Sequence, residues 1–297
     1  MKEKGRNIDL TTGPIWKQLL VYFLPILAGS LFQQLYTTVD AVILGQFAGK
    51  TGLAAIDSVY SLLKLPVNFF IGLSTGATIM ISQRFGAKDG ESLSRVVHTG
   101  IGLAFVGGFS LSFVGVIAAP LCLRAMQVPA EIQGLALAYV RIYFGGLFMS
   151  LLFNTGSGIL RAVGDSRTPF RILVVAGAAN TVLDLVFVAL FNLSAAGAAL
   201  ATVLSQGLSA ALILRALVCA KVAYRFDLTR LSCDRAILKS IFKLGLPIGF
   251  QSALFPVANM TVQSGVNRTG IDNIAAWALC GKLDFLIWLI SDSLAAA

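Results

Sequence analysis

Residues 15–49, IWKQLLVYFLPILAGSLFQQLYTTVDAVILGQFAG, decide the fold. The run carries one cation, Lys17, near its start and one acid, Asp40, deep inside it. It is longer than the ~20 residues that cross roughly 30 Å of hydrocarbon. It is also too long for the apolar core of a signal peptide and has no clear cleavage site, so it reads as a retained membrane helix behind a charged segment over 1–14. Pro25 removes a backbone donor within it, which predicts a bend.

Comparable apolar runs recur along the chain. With 57% hydrophobic residues, 12% charged residues and a mean hydropathy of +0.82, too little polar surface remains to clothe a soluble globule. A membrane β-barrel would show short alternating segments instead. Polar or glycine-rich breaks leave candidate spans at about 15–46, 53–82, 94–119, 133–160, 169–191, 196–220, 237–266 and 273–297. The expected fold class is therefore an all-α integral membrane protein, a polytopic bundle of eight transmembrane helices.

Cations orient it. Lys2, Lys4, Arg6, Lys17, Arg84, Lys88, Arg95, Arg161, Arg167, Arg171, Lys221, Arg225, Arg230, Arg235, Lys239 and Lys243 fall on one set of connections, and only Lys50, Arg124 and Arg268 on the other. This sixteen-to-three bias places the N-terminus in the cytoplasm of a cell membrane. The longest connection, 221–236, reads as a linker between a six-helix unit over 15–220 and the start of a second over 237–297. Leu24-Pro25 aligns with Leu246-Pro247 at an offset of 222, and after a one-residue shift Leu53-Ala54-Ala55 aligns with Ile274-Ala275-Ala276. That internal similarity suggests a repeat.

The net charge of +9 forms no basic patch interleaved with aromatics, so a nucleic-acid partner is not expected. Cys122, Cys219, Cys233 and Cys280 are scattered and His98 is the single histidine, which argues against zinc, haem and disulfide frameworks.

An ionisable group near the bilayer centre costs at least about 2.5–3.5 kcal/mol, so each needs a partner, a cavity or a task. Asp40 on the first helix and Asp184 on the fifth should reach the same depth in the outer half. Asn180 shares a face with Asp184 at i, i+4 spacing. Gln33, Thr37 and Asp40 form a polar stripe beside Gln34, while Tyr139, Thr202 and Gln206 arrive at that depth from helices running the other way.

Two readings fit these acids: hydrogen-bonded residues that hold helices together, or a site that is charged and neutral in turn, which the matched depth favours. Burial and mutual repulsion penalise the doubly charged pair, so a proton could bind there. Sodium would equally find hard oxygen ligands at Asp40 and Asp184. Lys64, Arg141 and Arg215 are expected to snorkel or to pair with acids. Asp57 and His98, near span ends, are explained by solvation or capping. Lys282, Asp284 and Asp292 on the last helix are weaker candidates for a substrate path. The glycines of GLSTG (72–76) permit close helix packing.

The segment over 13–49, together with QRFGAKD (83–89) and ILRAVGDSRTP (159–169), resembles the multidrug and toxic compound extrusion (MATE) family. The resemblance implies two six-helix lobes that expel small organic, often cationic, compounds in exchange for protons or sodium ions, with no resident cofactor. It implies a cation site in the first lobe at Asp40, Tyr139, Asn180, Asp184 and Thr202, and a bend at Pro25 that responds to protonation. The seventh span has Gln251, Asn259, Thr261 and Gln263 but no acid, which favours coupling in the first lobe. The family has twelve helices, and this chain ends within the eighth. It is expected to be a fragment or truncated product that does not transport alone, and a monomer. The alternatives are a flippase for a lipid or lipid-linked sugar and a non-transporting fragment. A membrane enzyme lacks a HExxH, GxSxG or Walker pattern.

Overall fold

The structure, a computed structural model, describes residues 15–220, 224–227 and 234–281, with side chains from Phe23 onward. Lys282, Asp284 and Asp292 lie outside the described residues. The described elements are helical: α1 Ile15–Phe47, α2 Gly49–Asp57, α3 Tyr60–Gly86, α4 Gly90–Ala125, α5 Ala130–Gly145, α6 Leu147–Ala162, α7 Arg167–Asp184, a π-helical turn Leu185–Leu190, α8 Ser194–Val218, α9 Arg235–Asn267 and α10 over 271–281. By length and composition five of the described spans can cross a membrane, or six with α5 and α6 taken as one span bent by 47°. The protein is a multi-pass membrane bundle. Its exterior is apolar, as the exposed stripe Phe105, Phe109, Phe113, Ile117 and Leu121 shows along α4. Four-residue spacing keeps these side chains on one face, and only hydrocarbon solvates such a face without cost.

Three expected spans are less regular than their apolar runs imply. The second is preceded by the separate helix α2, and the break comes at Ser58, whose carbonyl accepts from Asn267 Nδ2 at 3.3 Å. The fourth is broken at Gly146, where α8 presses so close that a Cβ would sit 2.4 Å from Val203 Cγ1. The fifth changes from α to π geometry directly after Asp184. None of these contacts is local in sequence.

The closest helix contact joins α3 to α9. Gly72 and Gly76 face Gly245 and Gly249, and a Cβ on Gly245 would lie 2.2 Å from the Leu73 carbonyl oxygen. Two small-xxx-small pairs thus bring the backbones themselves together. The described part of the connection that leads into α9, residues 224–227, is docked on the bundle. His98, 5% exposed, contacts the Ser94 carbonyl through Nδ1 at 2.7 Å, and its Nε2 accepts from the Asp227 N–H at 3.0 Å. A carbonyl requires a donor and an N–H requires an acceptor, so the ring is the neutral Nδ1–H tautomer. Phe226, 1% exposed, lies against it with ring centroids 5.0 Å apart. His98 is therefore a buried anchor, where the sequence suggested a solvated or capping residue. Asp234 then caps α9 by accepting from the N–H groups of Ala236 and Ile237.

Candidate cation site

α1 and α7 run parallel in contact, and small residues set their register. Gly29 receives Phe170 and Leu173, and one stretch further Gly177 receives Phe32 and Tyr36. The next turn of α1 carries Asp40 and the next turn of α7 carries Asn180 and Asp184. The Asn180 amide nitrogen, turned toward Asp40, donates to Oδ1 at 3.1 Å and to Oδ2 at 3.2 Å. The opposite orientation would set oxygen against oxygen.

Asp184 and Asn180 are each 2% exposed. Both Asp184 oxygens are buried without a hydrogen-bond donor, and the carboxyl has the Asp40 acid as a neighbour. Tyr139, buried on α5, brings its phenol near both acids and stacks on Tyr143 with centroids 6.1 Å apart. Asp40, Asn180, Asp184 and Tyr139 are thus gathered from α1, α5 and α7. The arrangement offers carboxylate, amide and phenol oxygens around a pair of acids that cannot both stay charged without a neutralising proton or cation. Those hard oxygens suit sodium as well as a proton.

The other expected residues have neighbours of their own. Thr202 is half-buried on α8, and its carbonyl accepts from Ser205 Oγ at 2.9 Å. Gln206, one turn further, reaches the Tyr143 phenol, while its Oε1 is buried without a partner. The Thr37 hydroxyl turns back to the Gln34 carbonyl at 3.0 Å. Gln33 lines a separate cavity of about 120 Å³ with Pro25, Asn154, Ser157 and Arg161. Arg141 and Arg215 are exposed.

Sequence reasoning missed the aromatic extension of the site. Lys64 holds its Nζ 5.2 Å from the Tyr60 ring centroid, with the phenols of Tyr143 and Tyr36 also close. Tyr36 in turn has both Lys64 and Asp40 as neighbours. A lysine on α3 and the Asp40 acid thus both bear on the Tyr36 phenol. The signal was present: Tyr36 and Asp40, Tyr60 and Lys64, and Tyr139 and Tyr143 are all i, i+4 pairs.

Comparison with known proteins agrees with this architecture. The MatE family model matches residues 25–186. The chain is 30% identical over 284 residues to "Probable multidrug resistance protein YpnP" of Bacillus subtilis (strain 168), an alignment covering 95% of this chain and 63% of that protein. Among solved structures, the outward-facing conformation of a multidrug resistance MATE family transporter superposes with a TM-score of 0.83 at 26% identity, covering 94% of this chain and 62% of that one. An inward-facing conformation gives 0.80 at 26% identity, covering 92% and 64%. The chain spans less than two thirds of the length of each of these proteins. The family model covers more than half of the chain, and the relative and both conformations share its helical fold, so the chain belongs to the MATE family.

Proposed function

We propose that the whole protein exports small organic compounds, cationic ones foremost, across the cell membrane by alternating access, driven by inward movement of a proton or sodium ion through the Asp40–Asp184 pair. The observation that carries this reading is the Asp184 carboxylate: deep in an apolar bundle, both of its oxygens lack a donor while a second acid stands beside it. A cation that neutralises the pair removes a cost of several kcal/mol. Asn180 and Tyr139 orient the pair, Thr202 completes the ligand set, and α1 answers by changing its bend at Pro25. Gln33, Gln34, Thr37 and Gln206 line the substrate path. Coupling needs only that cation and substrate prefer opposite states of the bundle. No covalent bond changes, so the protein is not an enzyme. The N-terminus faces the cytoplasm, helices over 15–220 form one lobe, 221–236 the linker and 237–297 the start of the second, and the transporter works as a monomer.

The existence of both inward- and outward-facing relatives with this fold supports the cycle. Because the proposed cation ligands all lie between α1 and α8, binding can be tested on this chain. In detergent, the chain should show either a protonated-carboxyl infrared band that titrates or retained radioactive sodium, and Asp184→Asn should abolish that signal. Gradient-driven efflux of ethidium by the full gene product should fail in the same variant with folding unchanged. Cation binding and efflux that both survive Asp184→Asn would remove the proposal.

A further inference from the structure

At the cytoplasmic end of the α1–α7 contact lies an open groove of about 530 Å³, lined by Leu24, Pro25, Ala28, Phe170, Arg167 and Arg171. We propose that this groove binds an anionic phospholipid of the inner leaflet, with the phosphate on Arg167 and Arg171 and an acyl chain along the apolar wall.

The two arginines are four residues apart on the first turns of α7, so they present their charge on one face. Both are exposed, and neither pairs with an acid among the described residues. The nearest acid in sequence, Asp165, is committed elsewhere: Oδ1 accepts from the Thr168 N–H at 3.0 Å and Oδ2 from its hydroxyl at 2.6 Å. Two guanidinium forks without counter-charges among the described residues match the oxygens of a phosphate.

The rest of the groove tells a lipid from a free anion. From the arginines an exposed apolar track follows α1 through Leu24, Leu31 and Leu35 and α7 through Val175 and Val182. A soluble phosphate gains nothing from such a track, whereas an acyl chain covers it. An organic cation gains from the track but is repelled by the arginines. Basic pockets between helices on the cytoplasmic side are suited to anionic headgroups, each cation contributing about 1 kcal/mol near a charged leaflet. The groove shares Pro25 with the proposed bend but neither acid, so lipid binding can be read apart from cation binding, while its place in the inner leaflet rests on the proposed orientation.

The test is native mass spectrometry of the chain in detergent, titrated with dioleoylphosphatidylglycerol and, in parallel, dioleoylphosphatidylcholine. The unsubstituted chain should bind one phosphatidylglycerol in preference to phosphatidylcholine. R167Q/R171Q should weaken that binding about fivefold for each charge removed. A28W, which fills the groove and keeps both charges, should weaken it as well, and R84Q/K88Q, which removes cytoplasmic cations elsewhere, should leave it within about twofold, the contrast expected for a site rather than a surface potential. Circular dichroism of each variant reports folding, and A28W gives an independent arm should the double variant misfold. No preference for phosphatidylglycerol, an equal loss in R84Q/K88Q, or full binding by A28W would overturn the proposal. The last two outcomes would mean that cationic surface alone attracts the lipid.

Discussion

Replacing Gly245 by alanine puts a methyl carbon where α3 and α9 leave room for hydrogen alone. The new Cβ would lie 2.2 Å from the Leu73 carbonyl oxygen, 2.9 Å from its carbon and 3.0 Å from its Cα. All three are backbone atoms, so no rotamer change relieves the overlap. A tolerable carbon–oxygen contact is about 3.3 Å, so the helices must part by roughly 1 Å. That movement also loosens the neighbouring contacts of Gly72 and Gly76, whose Cβ positions lie 2.7 and 2.6 Å from the Ile248 and Ile241 carbonyl oxygens. Overpacking of this kind costs about 1–3 kcal/mol, and a rigid obstacle on both sides argues for the upper end. Alanine recovers up to about 1 kcal/mol of helix propensity. The net loss is about 2 kcal/mol, a roughly thirtyfold fall in the folding constant. Gly102→Ala is the control, because nothing lies within 4 Å of its Cβ position in the middle of α4. It should gain about 0.5–1 kcal/mol. Reversible unfolding of both variants in mixed micelles, followed by circular dichroism, reads the difference. If Gly245→Ala proved as stable as Gly102→Ala, the glycine contact would not hold α9 to α3 as argued.

Other perturbations test separate parts of the molecule. His98→Ala removes the acceptor for the Asp227 N–H and the ring against Phe226, so amide exchange at Asp227 and trypsin cleavage at Arg225 should both accelerate at least tenfold, as expected for about 1.4 kcal/mol or more of lost docking; unchanged rates would show the connection to be held elsewhere. Ser74 and Thr155 share a buried hydroxyl contact of 3.1 Å between α3 and α6. Valine at either one should cost about 1–3 kcal/mol by stranding the other hydroxyl, and valine at both should cost less than the sum, so additive losses in the same unfolding assay would contradict the pairing. Asn180→Leu strips the charged Asp40 of its amide donor, so sodium retention, which needs that carboxylate charged, should weaken about tenfold or more, since hydrogen bonds to charged groups contribute about 1.5–3 kcal/mol, whereas proton binding should not weaken; sodium retained at full affinity, or weaker proton binding, would show that the amide does not support the acid.

Much of the architecture was legible because the membrane acts on each segment separately. Five of the described spans, or six with the bent α5–α6 pair, are long and apolar enough to cross wherever their neighbours stand. The acids stood out for the same reason, since the cost of placing one in hydrocarbon is visible residue by residue. Asn180 was legible through its i, i+4 relation to Asp184, which is local geometry. Lys64 could be read against Tyr60 on its own helix, but Tyr36 and Tyr143 come from α1 and α5 and depend on how three helices are rotated. The role of His98 was hidden in the same way: it answers an N–H 129 residues away.

By itself the sequence determined that the chain is an all-helical multi-pass membrane bundle and where acids fall within its apolar runs, for burial in hydrocarbon is priced along each segment and needs no knowledge of its neighbours. Tertiary structure alone decided that α1 and α7 lie parallel with Asp40 on Asn180, that glycines bring α3 onto α9, and that a π turn follows Asp184. These depend on the register and rotation of helices far apart in the chain, whose backbones approach at glycines that leave no room for a Cβ and meet only once the bundle has assembled.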